Sequence, residues 1–238
     1  GYASTDYAQW PVFAPVLLIV GVLVASKELL LQIEPLWAFA GPISLLLTLA
    51  VALWRLRVRG IAWPAIGLSR PKSWWHLLGF TSLALIVTIV AGELARMAAE
   101  AWIGLPDAVP RDLDARYQNR FSGVPGNPLL FALWLALAWI IGGFTEEILF
   151  RGVLFSRLES LFLGLPLAAL LAGFRQALLF GQQHVYYQGI AGWVATGIIA
   201  LVSSLLFLLF RRNLWPLILS HGISNSIGLT ILFFRPAG

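Results

Sequence analysis

Apolar residues run along this chain in blocks about 20 residues long, and polar residues gather in short intervals between them. A block of that length is what an α-helix needs to cross the hydrocarbon core of a bilayer. Seven such spans are predicted, at 11–31, 35–54, 76–98, 129–158, 165–186, 189–210 and 214–234, and the count is open to eight. The longest polar interval, 99–127, holds Asp107, Arg111, Asp112, Asp114, Arg116 and Arg120 among Pro106, Pro110 and Pro125, and reads as an extramembrane loop. The pattern contains no repeat and no second soluble domain. It predicts an all-α fold, a polytopic transmembrane helical bundle of seven or eight spans forming one integral membrane domain. Residues 1–127 supply N-terminal helices and the loop, and residues 128–238 the remaining helices.

Composition agrees with this pattern. Of 238 residues, 59% are hydrophobic and only 11% charged, against about 25% charged in a soluble domain; the mean hydropathy is +0.84. The chain has no cysteine, which excludes disulfides, thiol nucleophiles and thiolate metal sites. The net charge of +5 is no signal for nucleic acid, because the basic residues sit in short loops. Residues 55–75 carry Arg55, Arg57, Arg59, Arg70 and Lys72 with no acid, and 211–212 is Arg-Arg. With seven spans these fall on one side together with Arg157. The positive-inside rule makes that side cytoplasmic, with the N-terminus in and the C-terminus out. The first ten residues hold no Lys or Arg, so no secretory signal peptide is expected. The Ala-, Leu- and Trp-rich composition is compatible with a bacterial inner membrane, and the expected partner at this point is the lipid bilayer, not nucleic acid. The oligomeric state is not legible.

Against this background the charged residues within the spans stand out. Glu146, Glu147 and Arg151 interrupt one apolar run, "FGQQH" places His184 in another, and "SHGISN" places His221 and Asn225 in a third. A charge at the bilayer centre costs about 2.5–3.5 kcal/mol on the insertion scale. On a helix Glu147 and Arg151 are i,i+4 neighbours with the acid first, the favourable order. Glu146 is rotated away from that pair, so one glutamate reads as structural and the other as available. His221 and Asn225 share a face by the same spacing. Other polar residues have local readings. His76 sits beside Trp74 and Trp75 at a span edge, Glu93 and Arg96 form an i,i+3 pair, and Lys27 with Glu28 marks a polar helix end. Arg175, inside the fifth span, needs an acidic or carbonyl partner.

The chemistry open to these groups narrows by absence. No aspartate lies in a predicted span, which excludes an aspartyl dyad, and the zinc-protease helix motif His-Glu-x-x-His does not occur. Ser220 is adjacent to His221 and points away from it; Ser203 and Ser204 stay conceivable with His184 but lack a glycine-elbow context. A glutamate that activates water remains.

Together "EEILFR" (146–151), "FGQQH" (180–184) and "HGISN" (221–225) resemble, in order, the Glu-Glu-x-x-x-Arg, Phe-x-x-x-His and His-x-x-x-Asn signature of the intramembrane proteases known as the type II CAAX prenyl protease and bacteriocin-processing family. The resemblance covers about 140–230. It implies an intramembrane endopeptidase, with a peptide or membrane-protein substrate as its partner, hydrolysing a peptide bond of a membrane-associated or lipid-linked substrate. In that role Glu146 would be the general base, holding water with His184, and His221 and Asn225 would stabilise the oxyanion. Glu147, Arg151 and Phe180 would support the site. A non-catalytic membrane immunity or scaffold protein of the same fold is the alternative, and a proton-relaying transporter a further one.

Zinc is the cofactor to weigh, since Glu146, His184 and His221 are a legitimate ligand set. A catalytic zinc needs three ligands and a separate base, and that base would have to be Glu147, which the helix spacing assigns to Arg151. A metal-independent glutamate mechanism without a cofactor is therefore expected over a zinc-dependent one. Depth along the helices is consistent for two motifs: Glu146 lies about 16 Å from Arg157 and His221 about 14 Å from Arg212. His184, about 27 Å from Pro166, does not fit. Either residues 161–174 lie along the interface or the fifth span is steeply tilted.

Overall fold

A backbone in lipid must satisfy its own hydrogen bonds, and this chain does so with helices. The computed structural model describes residues 13–104 and 111–235. The first ten residues, the start of the first predicted span, and Pro106, Asp107 and Pro110 of the polar loop lie outside the described residues. Helix α1 spans Phe13–Leu31, and a 3-10 stretch, Glu34–Phe39, leads into α2, Ala40–Val58. Helix α3 spans Trp74–Ile103 and α4, short and polar, Arg111–Phe121. Helix α5, Pro128–Leu137, is capped by Asn127, whose side chain accepts from the amides of Leu129 and Leu130 at 3.1 Å. It continues through two π-helical stretches, Ala138–Glu146 and Ile148–Phe155, into α6, Ser156–Leu161. Helices α7, Ala168–Gln182, α8, Val185–Leu209, and α9, Trp215–Phe233, complete the described chain.

Among the described residues six helical rods are long and apolar enough to cross a membrane, counting 34–58 and 128–161 each as one. The protein is a multi-pass integral membrane protein, an all-α bundle as the pattern predicts. The rod α3 shows the fit to a bilayer: Trp74 and Trp75 at its start and Trp102 near its end are 76%, 83% and 96% exposed. They stand about 40 Å apart along the axis, the full depth of a bilayer with its headgroups.

The span predicted at 165–186 is the one that differs. Helix α7 has 15 residues, about 22 Å of rise against about 30 Å of hydrocarbon. Leu167 takes a left-handed φ of 66°, so residues 162–167 stay outside any helix. The chain turns again at Gln183 and His184, and Gly189 (φ 65°, ψ −163°) breaks the first turn of α8 from the rest. Helices α7 and α8 thus form a hairpin whose tip carries His184. Arg175 has no partner among the described residues; it is exposed on α7 beside Phe174 and Leu178, where a long side chain can reach along the helix toward the headgroups. Glu93 and Arg96 do pair, and Glu100 joins them. Lys27 is not a polar helix end: it is 1% exposed, and its Nζ donates to Gln182 Oε1 at 3.3 Å.

The basic segments gather at one end of the bundle. Arg212 donates to both Glu159 carboxylate oxygens at 2.8 Å, the Leu214 amide to the Gly67 carbonyl at 2.9 Å, and Asn213 Nδ2 to the Ser69 carbonyl at 3.2 Å. At the opposite end the Gly126 amide donates to the Phe233 carbonyl at 3.0 Å, and Arg116 of α4 pairs with Glu34. The core lies around the π segment, where Ile148, Leu149, Phe150 and Phe155 are at most 2% exposed. Phe150 meets Phe180 edge-on at 4.8 Å, and Phe155 meets Phe207 at 6.1 Å.

Candidate active site

Glu146 ends the first π stretch, and Glu147 stands between the two. π-turns recur at functional sites because the wider turn displaces side chains from their helical positions. Thr145 stabilises this one, donating its hydroxyl to the Ile140 carbonyl five residues back at 2.7 Å. Glycines let α9 approach: Gly143 has no room for a Cβ beyond 3.1 Å from the Ile218 carbonyl, and Trp139 packs over Gly222 while donating to Ser226 at 3.0 Å.

Glu146, Glu147, Arg151, Phe180, His184, His221 and Asn225 all line one cavity of about 530 Å³. Three helical elements bring them there: the π segment, the α7–α8 tip and α9. The cavity runs toward the end of the bundle opposite the arginine-rich loops, where Tyr117, Arg120, Phe121 and Arg235 border it.

At its floor the two glutamates part. Glu147, 2% exposed, pairs with Arg151, 1% exposed, at 3.3 Å, as the i,i+4 spacing predicts. The same oxygen, Oε1, also accepts from His221 Nδ1 at 2.9 Å. The sequence holds no sign of this second bond, because the helix bearing His221 is far away in the chain. Glu146 makes no hydrogen bond with any described residue, and its Oε2 lies 3.8 Å from His221 Nε2. It faces the cavity, not the Arg151 pair.

The histidines are held in defined tautomers. His184 Nδ1 is 2.8 Å from the Phe180 carbonyl, which can only accept, so this nitrogen carries the proton and Nε2 is left as an acceptor toward the cavity. Phe180 packs against that ring at 4.8 Å with a tilt of 35° and lies under the Arg151 guanidinium, also at 4.8 Å. His221 Nδ1 donates to the Glu147 carboxylate, so its Nε2 donates only when the ring is imidazolium. In that state Glu146, Glu147, Arg151 and His221 sum to zero charge. Asn225 Nδ2 and His221 Nε2 converge over Gly142, where a Cβ would meet them at 2.4 and 3.4 Å.

Serine chemistry loses its support. Ser204 donates to the Ala200 carbonyl at 3.0 Å and accepts from Gln176 at 2.7 Å, and Ser220 donates to the Leu217 carbonyl at 3.0 Å. Ser203 lines the cavity without a hydrogen bond to His184 among the described residues. Sequence reasoning missed the aromatic collar at the mouth. There Tyr187 lies 5.6 Å from both the His184 and Tyr117 rings, and Phe121 lies 4.7 Å from Trp134. Scattered aromatics in a Trp-rich chain carry no periodic signal that would single these out.

No curated protein and no solved structure matches the chain. Residues 128–227 match the family model described as type II CAAX prenyl endopeptidase Rce1-like, from the first residue of α5 to just beyond Asn225. The segment that supplies the polar wall of the cavity belongs to the type II CAAX prenyl endopeptidase family that its three motifs resemble.

Proposed function

We propose that the protein is an intramembrane endopeptidase that hydrolyses a peptide bond of a membrane-associated or lipid-linked substrate with a water activated by Glu146. The observation that carries this reading is the division of labour between the glutamates. Glu147 is committed to Arg151 and His221, while Glu146 faces the cavity without a hydrogen-bond partner among the described residues. Glu146 takes a proton from the water that also donates to His184 Nε2, and the water oxygen bonds to the scissile carbonyl carbon. The displaced electron pair settles on the carbonyl oxygen, where Asn225 Nδ2 and His221 Nε2–H donate to it. As the intermediate collapses, the C–N bond breaks and Glu146 returns its proton to the leaving nitrogen. Glu147 keeps His221 oriented through its Nδ1 bond, and Arg151 holds the Glu147 carboxylate in place. With the arginine-rich end in the cytoplasm, as the positive-inside rule directs, the N-terminus is cytoplasmic and substrate enters from the opposite face.

An oxyanion donor is typically worth about 10²–10³ in kcat, and Gly142 keeps the place of one. Gly142→Ala puts a methyl on Asn225 Nδ2, the movable end of a side chain, so Asn225 swings away and the backbone stays. A loss of about 10²–10³ in kcat with little change in melting is expected. Gly79→Ala, with open space around it, leaves both unchanged.

The mechanism needs no metal. In support, Glu147, the base a zinc site would require, is bonded to both Arg151 and His221. Purified protein in proteoliposomes is expected to cleave members of a lipidated peptide library and to keep its rate after exhaustive chelation. One zinc per chain, with activity lost on chelation and restored by zinc, defeats the metal-free reading. No cleavage of any library member defeats the peptidase reading.

A further inference from the structure

A lysine inside a bilayer is costly unless protein groups take up its charge. Lys27, in the second half of α1, is 1% exposed, takes no part in the proton transfers at Glu146, and stands behind the cavity wall instead of lining it. Its Nζ donates to Gln182 Oε1 at 3.3 Å, and Gln183 Nε2 donates to the same oxygen at 2.7 Å. The ammonium lies 5.8 Å from the centre of the Tyr186 ring, and Glu28 Oε1, on a half-exposed side chain, is 3.8 Å from it. Gln182, Gln183 and Tyr186 flank His184 on both sides in the chain. The two glutamines of "FGQQH" thus have a partner, and it comes from the first described helix.

The tip needs such a partner because the helical path is interrupted on both sides of it. Helix α7 ends at Gln182, and Gly189, with its φ of 65°, separates the single turn 185–188 from the rest of α8. Contacts that brace this turn come from residues before the family match at 128–227. Lys27 holds Gln182, the Gly41 amide donates to the Tyr186 hydroxyl at 3.3 Å, and Trp37 meets the Tyr186 ring edge-on at 5.4 Å. We propose that Lys27 is a positioning residue: its ammonium clamps Gln182 and Gln183, and through them holds His184 Nε2 at the water that Glu146 activates. The proposal rests on the peptidase reading for its catalytic meaning, and the order of the tip tests it separately. An ammonium suits the place because it has three donors and makes a charge-assisted bond to the amide oxygen, stronger than a neutral one. Burying a charge costs stability even when it is paired, so a lysine kept here for the fold alone would be a poor choice.

Lys27→Met keeps an unbranched side chain and removes the ammonium. With a cleaved member of the lipidated peptide library, it is expected to lower kcat by about 10²-fold, the usual cost of a reacting group misplaced by about 1 Å. KM stays at the parent value, and the melting midpoint is no lower, since a buried charge has gone. Gln182→Leu is expected to lose kcat alike, and Lys27→Met/Gln182→Leu no more than the worse single variant, as partners in one contact do. Gln182→Glu, which still accepts from the ammonium, retains most of the rate that Gln182→Leu loses. Hydrogen exchange of the same proteins in nanodiscs, read by mass spectrometry, follows the tip without any cleavage. Residues 180–190 are expected to exchange faster in Lys27→Met, with α3 and α9 unchanged. Faster exchange confined to the tip, in a protein whose parent cleaves nothing, would uphold the clamp and end the peptidase reading. Unchanged exchange at the tip, a raised KM with the parent kcat, a midpoint that falls with faster exchange throughout the bundle, or a Gln182→Leu loss that multiplies that of Lys27→Met would overturn the proposal.

Discussion

Glu146→Gln is expected to lower peptide cleavage by about 10²–10⁴-fold, the usual worth of a positioned general base, with the melting midpoint in detergent unchanged. Glutamine keeps the volume and an oxygen but cannot take the proton of an attacking water. It also disturbs little in the fold, because Glu146 makes no hydrogen bond with any described residue and His221 Nε2 is 3.8 Å away. A polar network that merely pins helices together would behave in the opposite way, losing stability and having no turnover to lose. Cleavage rates and thermal melts on the same purified samples separate the two. A Glu146→Gln protein with the parent rate refutes the mechanism.

Glu147→Gln acts on stability first. Its carboxylate oxygen is the shared acceptor of Arg151 and His221, and the Glu147 and Arg151 side chains are 3% and 1% exposed. Removing one partner of a buried pair strands the other charge, at a cost of about 3–5 kcal/mol. The midpoint of unfolding should fall accordingly, and activity with it as His221 loses its orienting bond. The double variant Glu147→Gln/Arg151→Met should recover much of the lost stability, since replacing both members of a buried pair with groups that leave no charge is often close to neutral. It should not recover activity. If the single variant melts like the parent protein, the Glu147–Arg151–His221 chain is not what holds this part of the bundle.

The bonds that set these two variants apart differ in how far the sequence pattern discloses them. The Glu147–Arg151 pair is legible because it is local: residues four apart on a helix are neighbours whatever the rest of the chain does, and they stay on one face even through the wider π-turns. The His221–Glu147 bond is not, since it joins residues 74 positions apart, and no sequence period encodes which helix faces which. Lys27 departs from its sequence reading for the same reason. Along the chain it ends an apolar run next to Glu28, whereas in three dimensions the α7–α8 tip folds over it and Gln182 accepts its hydrogen bond.

Environment and chemical repertoire follow from the amino-acid pattern without further help. Runs of about 20 apolar residues require a bilayer and helices, because no other backbone within a single segment satisfies its hydrogen bonds there. The three polar interruptions name the groups that have to face protein or water. The family's motifs are legible in "EEILFR", "FGQQH" and "HGISN", and residues 128–227 match that family. It took the packed bundle to stop α7 after 15 residues and turn the chain at His184, with a left-handed Leu167 and a break at Gly189 that hydropathy does not register. Packing likewise lays α4, a polar helix in a loop by its composition, across the mouth of the cavity with Tyr117, Arg120 and Phe121. Hydropathy averages over a window and reports how much a segment prefers lipid. Which side chains converge depends on helix lengths, turns and glycine contacts between segments far apart in the chain, and those are settled only when the bundle packs.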